Sequence, residues 1–590
     1  MMRLPSLLLA AAVAIPTAPA AADMVAPGRS VQRSSMPTVL SETERVAYRE
    51  IFAAIRAADW AAATARLDAM GDGPLHAVAR AELYLAKGSP KAELEPLLAL
   101  IMKAPDMPQA AQLGRLAIAR GAVELPYIAQ QQELKWQGEQ PRRSRVRSVS
   151  GDPVATELES IVQPLIVADQ PSEAEAHFLQ WQDRLTPQAR TEYQQRIAWS
   201  YYLIGRDSDA RRLADLARVG VGEWALQGEW VAGLAAWRSG DCNAAASSFG
   251  AVGARATDPE LNAAGHYWAA RADMKCRKPE RVQARLRTAS RLNETFYGLL
   301  AASALGIKKP IAEQLHNFGD QEWRSIADKP NVRAAIALNE VGERQLADEV
   351  IKHQTRIGTA SDHNALLHLA SDLNLAGTQF WLAHNAPSGA RVNVAARYPA
   401  PDWRPLQGWR VDKALAFAHA LQESSFRTQV VSPAGASGLM QVRPGTAGDM
   451  ARSRGEAFEP SQLSDPTFNL EYGQRYLEYL RDYGGTGGLL PKVIAAYNAG
   501  PAPVAEWNAR AFDQGDPLLY IESIPYWETR GYVPIILRNY WVYEQKEGKT
   551  SASREALAQG LWPKFPGAHG AAAVRVEPLQ PAAGMRQGTR

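Results

Sequence analysis

Glu423 closes an apolar run, VDKALAFAHALQE, whose Leu415, Ala418 and Leu421 form one buried helical face. A carboxylate at a helix C-terminus meets the negative end of the helix dipole. Shielded by apolar neighbours, it holds its proton to a higher pH than a free glutamate, as a general acid must near neutrality. A lone glutamate at a helix end is usually a solvated surface residue, so the specificity has to come from its neighbours. A loop rich in Gly and Ala follows, SPAGASG, and then the knot Leu439-Met440-Gln441. Gly435 and Gly438 are expected to let backbone approach a ligand closely. Farther on, LLPKVIAAYNAGP starts a helix at Pro491 and delivers Tyr497-Asn498 into a tight stop. The segment IESIPYWETRGYV then sets Glu522, Glu528 and Arg530 among aromatic rings. Sugar faces stack on such rings while their hydroxyl and acetamido groups hydrogen-bond, so carbohydrate fits the pattern, as would a plain core with capped helix ends.

Other chemistries find no support. There is no HExxH, and His353, His363 and His368 sit loosely in a helical region, where structural histidines are commoner than ligands. GGTGGLLPK lacks the Gly-Lys-Ser/Thr ending of a phosphate loop, and GASGL does not have nucleophile-elbow spacing. No cofactor is called for. With 65 basic against 62 acidic residues and no basic run, nucleic acid is a disfavoured partner.

The elements that must position these residues belong to a long chain. Its 590 residues exceed one core, and 46% hydrophobic with 22% charged residues describes a globular protein of several domains. Residues 1–22 read as a signal peptide, with an apolar stretch too short for a membrane anchor and small residues at 20–22; the mature chain is expected in the periplasm. Three segments, RIAWSYYLIGRDSDARRLADLA, WVAGLAAWRSGDCNAAASSFGAV and YWAARADMKCRKPERVQARLRTA, share an aromatic helix, a polar turn and an Ala-rich helix. Such hairpins stack into a superhelix. Their turns fall near Gly205, Gly240 and Cys276, so Cys242 and Cys276, the only cysteines, lie at adjacent turns. An exported chain favours a disulfide between them; two small buried residues are the alternative. The expected fold is all-α: a superhelical domain over 23–325, a helical linker domain over 326–393, a compact domain over 394–565 and a disordered tail over 566–590.

In order, ESSF, SPAGASGLMQVRPGTA, LSDPTFNLEYGQRYLEYL, AAYNAGP and IPYWETRGYV resemble the signatures of the family 1 soluble lytic transglycosylases. RLNETFYGLLAASALG is similar to the segment after that family's superhelix. The resemblance implies a ring-like α-superhelix carrying a lysozyme-like catalytic domain, acting on peptidoglycan glycan strands, with other cell-wall enzymes as further partners. It places the acid on Glu423, supporting or substrate-binding roles on Ser432, Gln441, Tyr497 and Glu528, and a departure at Arg443, where many members have methionine. The implied reaction uses one acid/base, the muramic acetamido group and the C6 hydroxyl, leaving a 1,6-anhydro end. Two alternatives stay open. One is hydrolysis with a second carboxylate, for which Asp465 reads better as the turn before Pro466. The other is a non-catalytic glycan-binding scaffold.

Overall fold

A computed structural model describes residues 37–308, 318–510 and 512–577; the signal segment 1–22 and the end of the tail lie outside them. Helices dominate, with only two short two-stranded pairings among the described residues. The three repeats form helical hairpins: Pro187–Leu203 with Asp207–Arg218, Glu223–Arg238 with Cys242–Arg255, and Pro259–Lys275 with Pro279–Ser290. Their starts follow local chemistry. Thr186, Asp241 and Asp258 each accept a backbone N–H from the first helical turn, and Pro187 and Pro259 occupy first positions whose missing N–H costs nothing. Trp230, Phe249, Trp268 and Trp237 pack edge-on or tilted down the interior with ring centroids 5.2–5.5 Å apart. Where two helices cross, a Cβ on Gly265 would lie 2.4 Å from the backbone nitrogen of Gly253, so only glycine allows that approach. Cys242 and Cys276 are bonded, with Cα atoms 5.5 Å apart, tying one hairpin to the next.

The cores do not follow chain order. Apolar side chains from 40–83 bury against those of 318–396, whereas those of 155–301 share a core with 398–565. Backbone N–H groups of Val39 and Leu40 donate to Glu340, some 300 residues on. Between the two bodies runs an extended strap, residues 122–150, in the stretch expected to be continuous superhelix. Lys135–Trp136 pairs antiparallel with Asn385–Ala386, and the Arg143 guanidinium grips Glu522 through two bonds of 2.7 and 3.0 Å.

Helix Lys413–Ser424 is the centre of the last body, buried on nearly every face by Pro466–Asp482, Leu490–Ala499 and Trp527–Lys546. The superhelix clamps this body at Glu522, which also accepts from Tyr297 at 2.6 Å, and at Trp541, which stacks on Phe296. At the C-terminus, the segment expected to be a disordered tail begins as ordered chain. Ala573–Val574 pairs antiparallel with Trp562–Pro563, because backbone hydrogen bonding there does not need the apolar bulk the sequence lacks.

Candidate active site

Asp412 caps helix Lys413–Ser424 by accepting from Ala414 N at 2.9 Å. The helix stops abruptly at its other end, where Ser425 and Phe426 adopt φ of 53° and 61°. Two successive non-glycine residues in the left-handed region are costly. Packing holds them there, since Phe426 is buried against Phe417 and Trp403. The stop leaves Glu423 in the last turn, half-buried. Burial pushes its carboxyl up to about 7; a hydrogen bond from Tyr532 works against that shift, and the charge of Glu528 adds to it.

The loop after it is built around Asn469, a fully buried side chain on helix Pro466–Asp482. Its Oδ1 accepts from Met440 N at 2.7 Å, and its Nδ2 donates to Ser437 O and Leu463 O, both at 2.8 Å. Gly438 has φ of 74°, and a Cβ there would strike Leu463 O at 2.1 Å and Asn469 Nδ2 at 2.2 Å. Its smallness therefore serves this internal packing. Gln441, with φ of 48°, donates its side-chain amide to Gly438 O at 2.8 Å and Val430 O at 3.2 Å. Ser432 Oγ accepts from Ala436 N at 3.0 Å, shaping the turn through Gly435. Arg443 is exposed as the residue preceding helix Pro444–Arg452, which Pro444 starts. Asp465 caps its own helix, accepting from Thr467 N and Phe468 N.

Across from Glu423, Tyr497 donates to Met440 O at 2.7 Å and packs its ring 4.6 Å from His419. His419 is fully buried one turn before Glu423; its Nδ1–H donates to Leu415 O, and burial lowers its pKa to about 4, so it is neutral. Tyr532, on helix Trp527–Lys546, donates to Glu423 Oε1 at 2.5 Å. Asn498 joins the two sides, donating to Glu528 Oε1 at 3.3 Å and accepting from Thr529 Oγ1 at 2.5 Å. A cavity of about 1040 Å³ opens beside this group, with Asn498, Glu528 and Tyr532 in its wall. The histidines His363 and His368 are structural, one bonded to Leu382 O and the other paired with Glu322. The described residues contain no cluster suited to a metal ion.

A half-buried acid protonated near neutrality, fixed by a tyrosine beside an open cavity, is an arrangement for proton donation. Residues 404–519 match the family described as "Transglycosylase SLT domain".

Over these residues the chain resembles a transglycosylase SLT domain.

The SLT domain carries most of the relationship to known sequences. "Soluble lytic murein transglycosylase" of Escherichia coli K12 is 40% identical over 136 residues, 23% of this chain and 21% of that protein. The Salmonella typhimurium protein of the same name is 38% identical over 151 residues, 25% of this chain and 23% of its own. The chain thus aligns with about a fifth of the length of these relatives. Folds agree farther. The 70 kDa soluble lytic transglycosylase SLT70 of Escherichia coli superposes with a TM-score of 0.56 at 18% identity, covering 89% of this chain and 99% of that one. The lytic transglycosylase Slt of Pseudomonas aeruginosa gives 0.50 at 18% identity, covering 87% and 88%. The all-α architecture of superhelix plus lysozyme-like domain is therefore shared.

Glu423 meets Tyr532, which lines the cavity with Asn498 and Glu528; Tyr497 packs on His419 one turn before the acid, and Gln441 lies in the adjoining loop. Ser432 and Arg443 make no contact with Glu423 among the bonds described. Tyr532 and His419 went unassigned in the sequence. Tyr532 stood in plain view in RGYV, but only the fold brings it to a partner 109 residues earlier.

Proposed function

We propose that the protein is a peptidoglycan lytic transglycosylase cleaving the β-1,4 bond between N-acetylmuramic acid and N-acetylglucosamine. The observation that carries this reading is Glu423, protonated near neutral pH and hydrogen-bonded by Tyr532, which lines a large cavity. The SLT-domain match and the names of the relatives support the same substrate class.

Glu423 gives its proton to the glycosidic oxygen as the bond to muramic C1 breaks. The acetamido oxygen of that sugar stabilises C1, a substrate-assisted route that needs no second carboxylate. The ionised Glu423 then takes the proton from the C6 hydroxyl, whose oxygen bonds to C1 and closes a 1,6-anhydro ring. Glu423 ends with the proton it began with. The closure is intramolecular, and effective molarities of about 10⁵ M for well-oriented groups let it outrun water. Tyr532 stabilises the anionic stage, while Tyr497 and the Gln441 loop form the wall opposite.

Glu528 favours one second reading. It is exposed and close enough to raise the Glu423 pKa, so it could serve a hydrolytic muramidase as a base for water. Asp465 has no such role, because it caps a helix. Mass spectrometry of products from purified peptidoglycan separates the two: anhydro ends are expected, and mainly hydrated reducing ends would shift the assignment to hydrolysis. The work site is proposed as the periplasm, on the strength of the N-terminal apolar stretch and the Cys242–Cys276 bond. No helix among the described residues is long and apolar enough to cross a membrane. The stacked hairpins offer surface for other cell-wall enzymes, as such solenoids commonly do.

A further inference from the structure

His419 is fully buried in helix Lys413–Ser424, one turn before Glu423, so the two side chains lie on one face of that helix. Its ring meets tyrosines from two other helices. The Tyr497 ring, from Leu490–Ala499, lies 4.6 Å away tilted by 55°; the Tyr532 ring, from Trp527–Lys546, lies 6.2 Å away tilted by 59°. Both distances fall in the range where aromatic rings attract. Each tyrosine commits its hydroxyl to a different part of the site. Tyr532 donates to Glu423 Oε1, and Tyr497 donates to Met440 O beside Gln441. No hydroxyl proton is left for His419. Its own Nδ1–H goes to Leu415 O at 2.9 Å, and Nε2 is a buried acceptor with no hydrogen-bond partner among the described residues. A buried acceptor without a donor is costly, so a residue that only filled space would be apolar here.

We infer that His419 is a positioning residue for the acid, its ring wedging Tyr532 onto Glu423 and Tyr497 onto the Gln441 loop. The inference rests on the reading of Glu423 as the acid of the reaction. The bond to Leu415 O pins the imidazole plane to its own helix, a hold that neither an aliphatic side chain nor a phenyl ring could take. A pinned ring fixes the tilt of both phenols, and so the points at which their hydroxyls arrive. The unpaired Nε2 follows from that hold, since the ring that gives Nδ1–H to its helix brings the second nitrogen with it. His419 carries no charge of its own to the site, because burial lowers its pKa to about 4. The groups that act on Glu423 are the Tyr532 hydroxyl and the Glu528 carboxylate, with Tyr497 and, behind it, Tyr476 as the other titratable neighbours of the wedge. With the buried volume kept, a change in the titration of Glu423 on replacing His419 therefore passes through the placement of Tyr532.

The test titrates Glu423 directly in the full-length protein, as the infrared carboxyl band that Glu423→Gln removes. His419→Leu nearly conserves the volume and removes the ring. Its Glu423 midpoint is expected to move up by as much as Tyr532→Phe moves it, because the donor that eases ionisation is no longer held in place. In a Tyr532→Phe background the same substitution should add nothing, a coupling that a merely structural role does not produce. His419→Phe restores a flat ring and should recover part of the shift. His419→Met, which adapts to irregular space, runs the same cycle if the leucine variant does not fold. A midpoint that stays in place without the ring, or that moves equally with and without the Tyr532 hydroxyl, overturns the inference. Should wild type leave peptidoglycan uncut while the titration responds as expected, the reaction reading fails and this one stands. Should it cleave peptidoglycan while the titration ignores His419, this one fails alone.

Discussion

The Tyr532 hydroxyl donates to Glu423 Oε1 at 2.5 Å, joining the last turn of one helix to the second turn of another. This contact tempers the effect of burial on the acid. Burial holds the proton on Glu423, and the tyrosine, better matched to the anion, eases its release. Tyr532→Phe keeps the ring and deletes only the donor. The alkaline limb of the pH–rate profile should move up by a measurable fraction of a unit. The maximal rate should fall roughly ten- to hundredfold, since hydrogen bonds to charged groups contribute about 1.5–3 kcal/mol. Steady-state kinetics across pH 5–9 reads both. An unmoved limb would mean the contact does not act on the acid.

Glu423→Gln separates catalysis from stability. Loss of the proton donor should reduce turnover by roughly 10²–10⁴-fold. Stability should change in the opposite sense. The folded pKa of about 7 lies above the ordinary 4.5, so between those values the native state holds a proton that the unfolded chain has released. Folding stability therefore declines as pH rises through that window. The glutamine variant lacks this decline. Its thermal midpoint should gain on wild type from about pH 4.5 to 7 and then hold a constant lead. A lead that shrinks with rising pH would contradict a raised pKa.

Asn469 tests the loop without touching the acid. It satisfies Met440 N, Ser437 O and Leu463 O from inside the core. Asn469→Ala leaves Met440 N and Leu463 O buried and unpaired, at about 1–3 kcal/mol each where water cannot enter, while Ser437 O keeps its bond from Val442 N. Urea unfolding should show a loss of a few kcal/mol in the SLT domain. At temperatures where the variant is folded, KM should rise more than turnover falls, because the Gln441 wall loosens while Glu423 and Tyr532 stay paired.

What could be read in the chain depended on how local the cause was. Glu423, Gln441, Tyr497 and Glu528 sit in short contiguous signatures, and the hairpins repeat with caps and turns adjacent to the helices they shape. The Tyr532–Glu423 bond spans 109 residues and leaves no periodicity. The strap was invisible for a related reason. Its course is set by distant partners, such as the Arg356 carbonyl that accepts from Gln132 N and the Glu522 that holds Arg143, so its own sequence carries no strand signal. Gly438 was legible as a glycine the loop needs, but its packing against Leu463 and Asn469 was not, since those residues lie farther along the chain.

The Cys242–Cys276 bond joins residues 34 apart at the turns of successive hairpins. Closing a loop of that length restricts the unfolded chain by about 3–4 kcal/mol. In a stack where each hairpin leans on its neighbours, that stabilisation should concentrate in the superhelix. Replacing both cysteines with serine should lower the urea midpoint of the superhelical transition, and adding reductant to wild type should do the same. Reductant should leave the double variant unchanged. The pH profile of turnover should be the same in both proteins at 25 °C, because neither cysteine lies in the SLT domain that carries Glu423. Equal midpoints for oxidised and reduced wild type would mean the bond contributes nothing to holding the hairpins together.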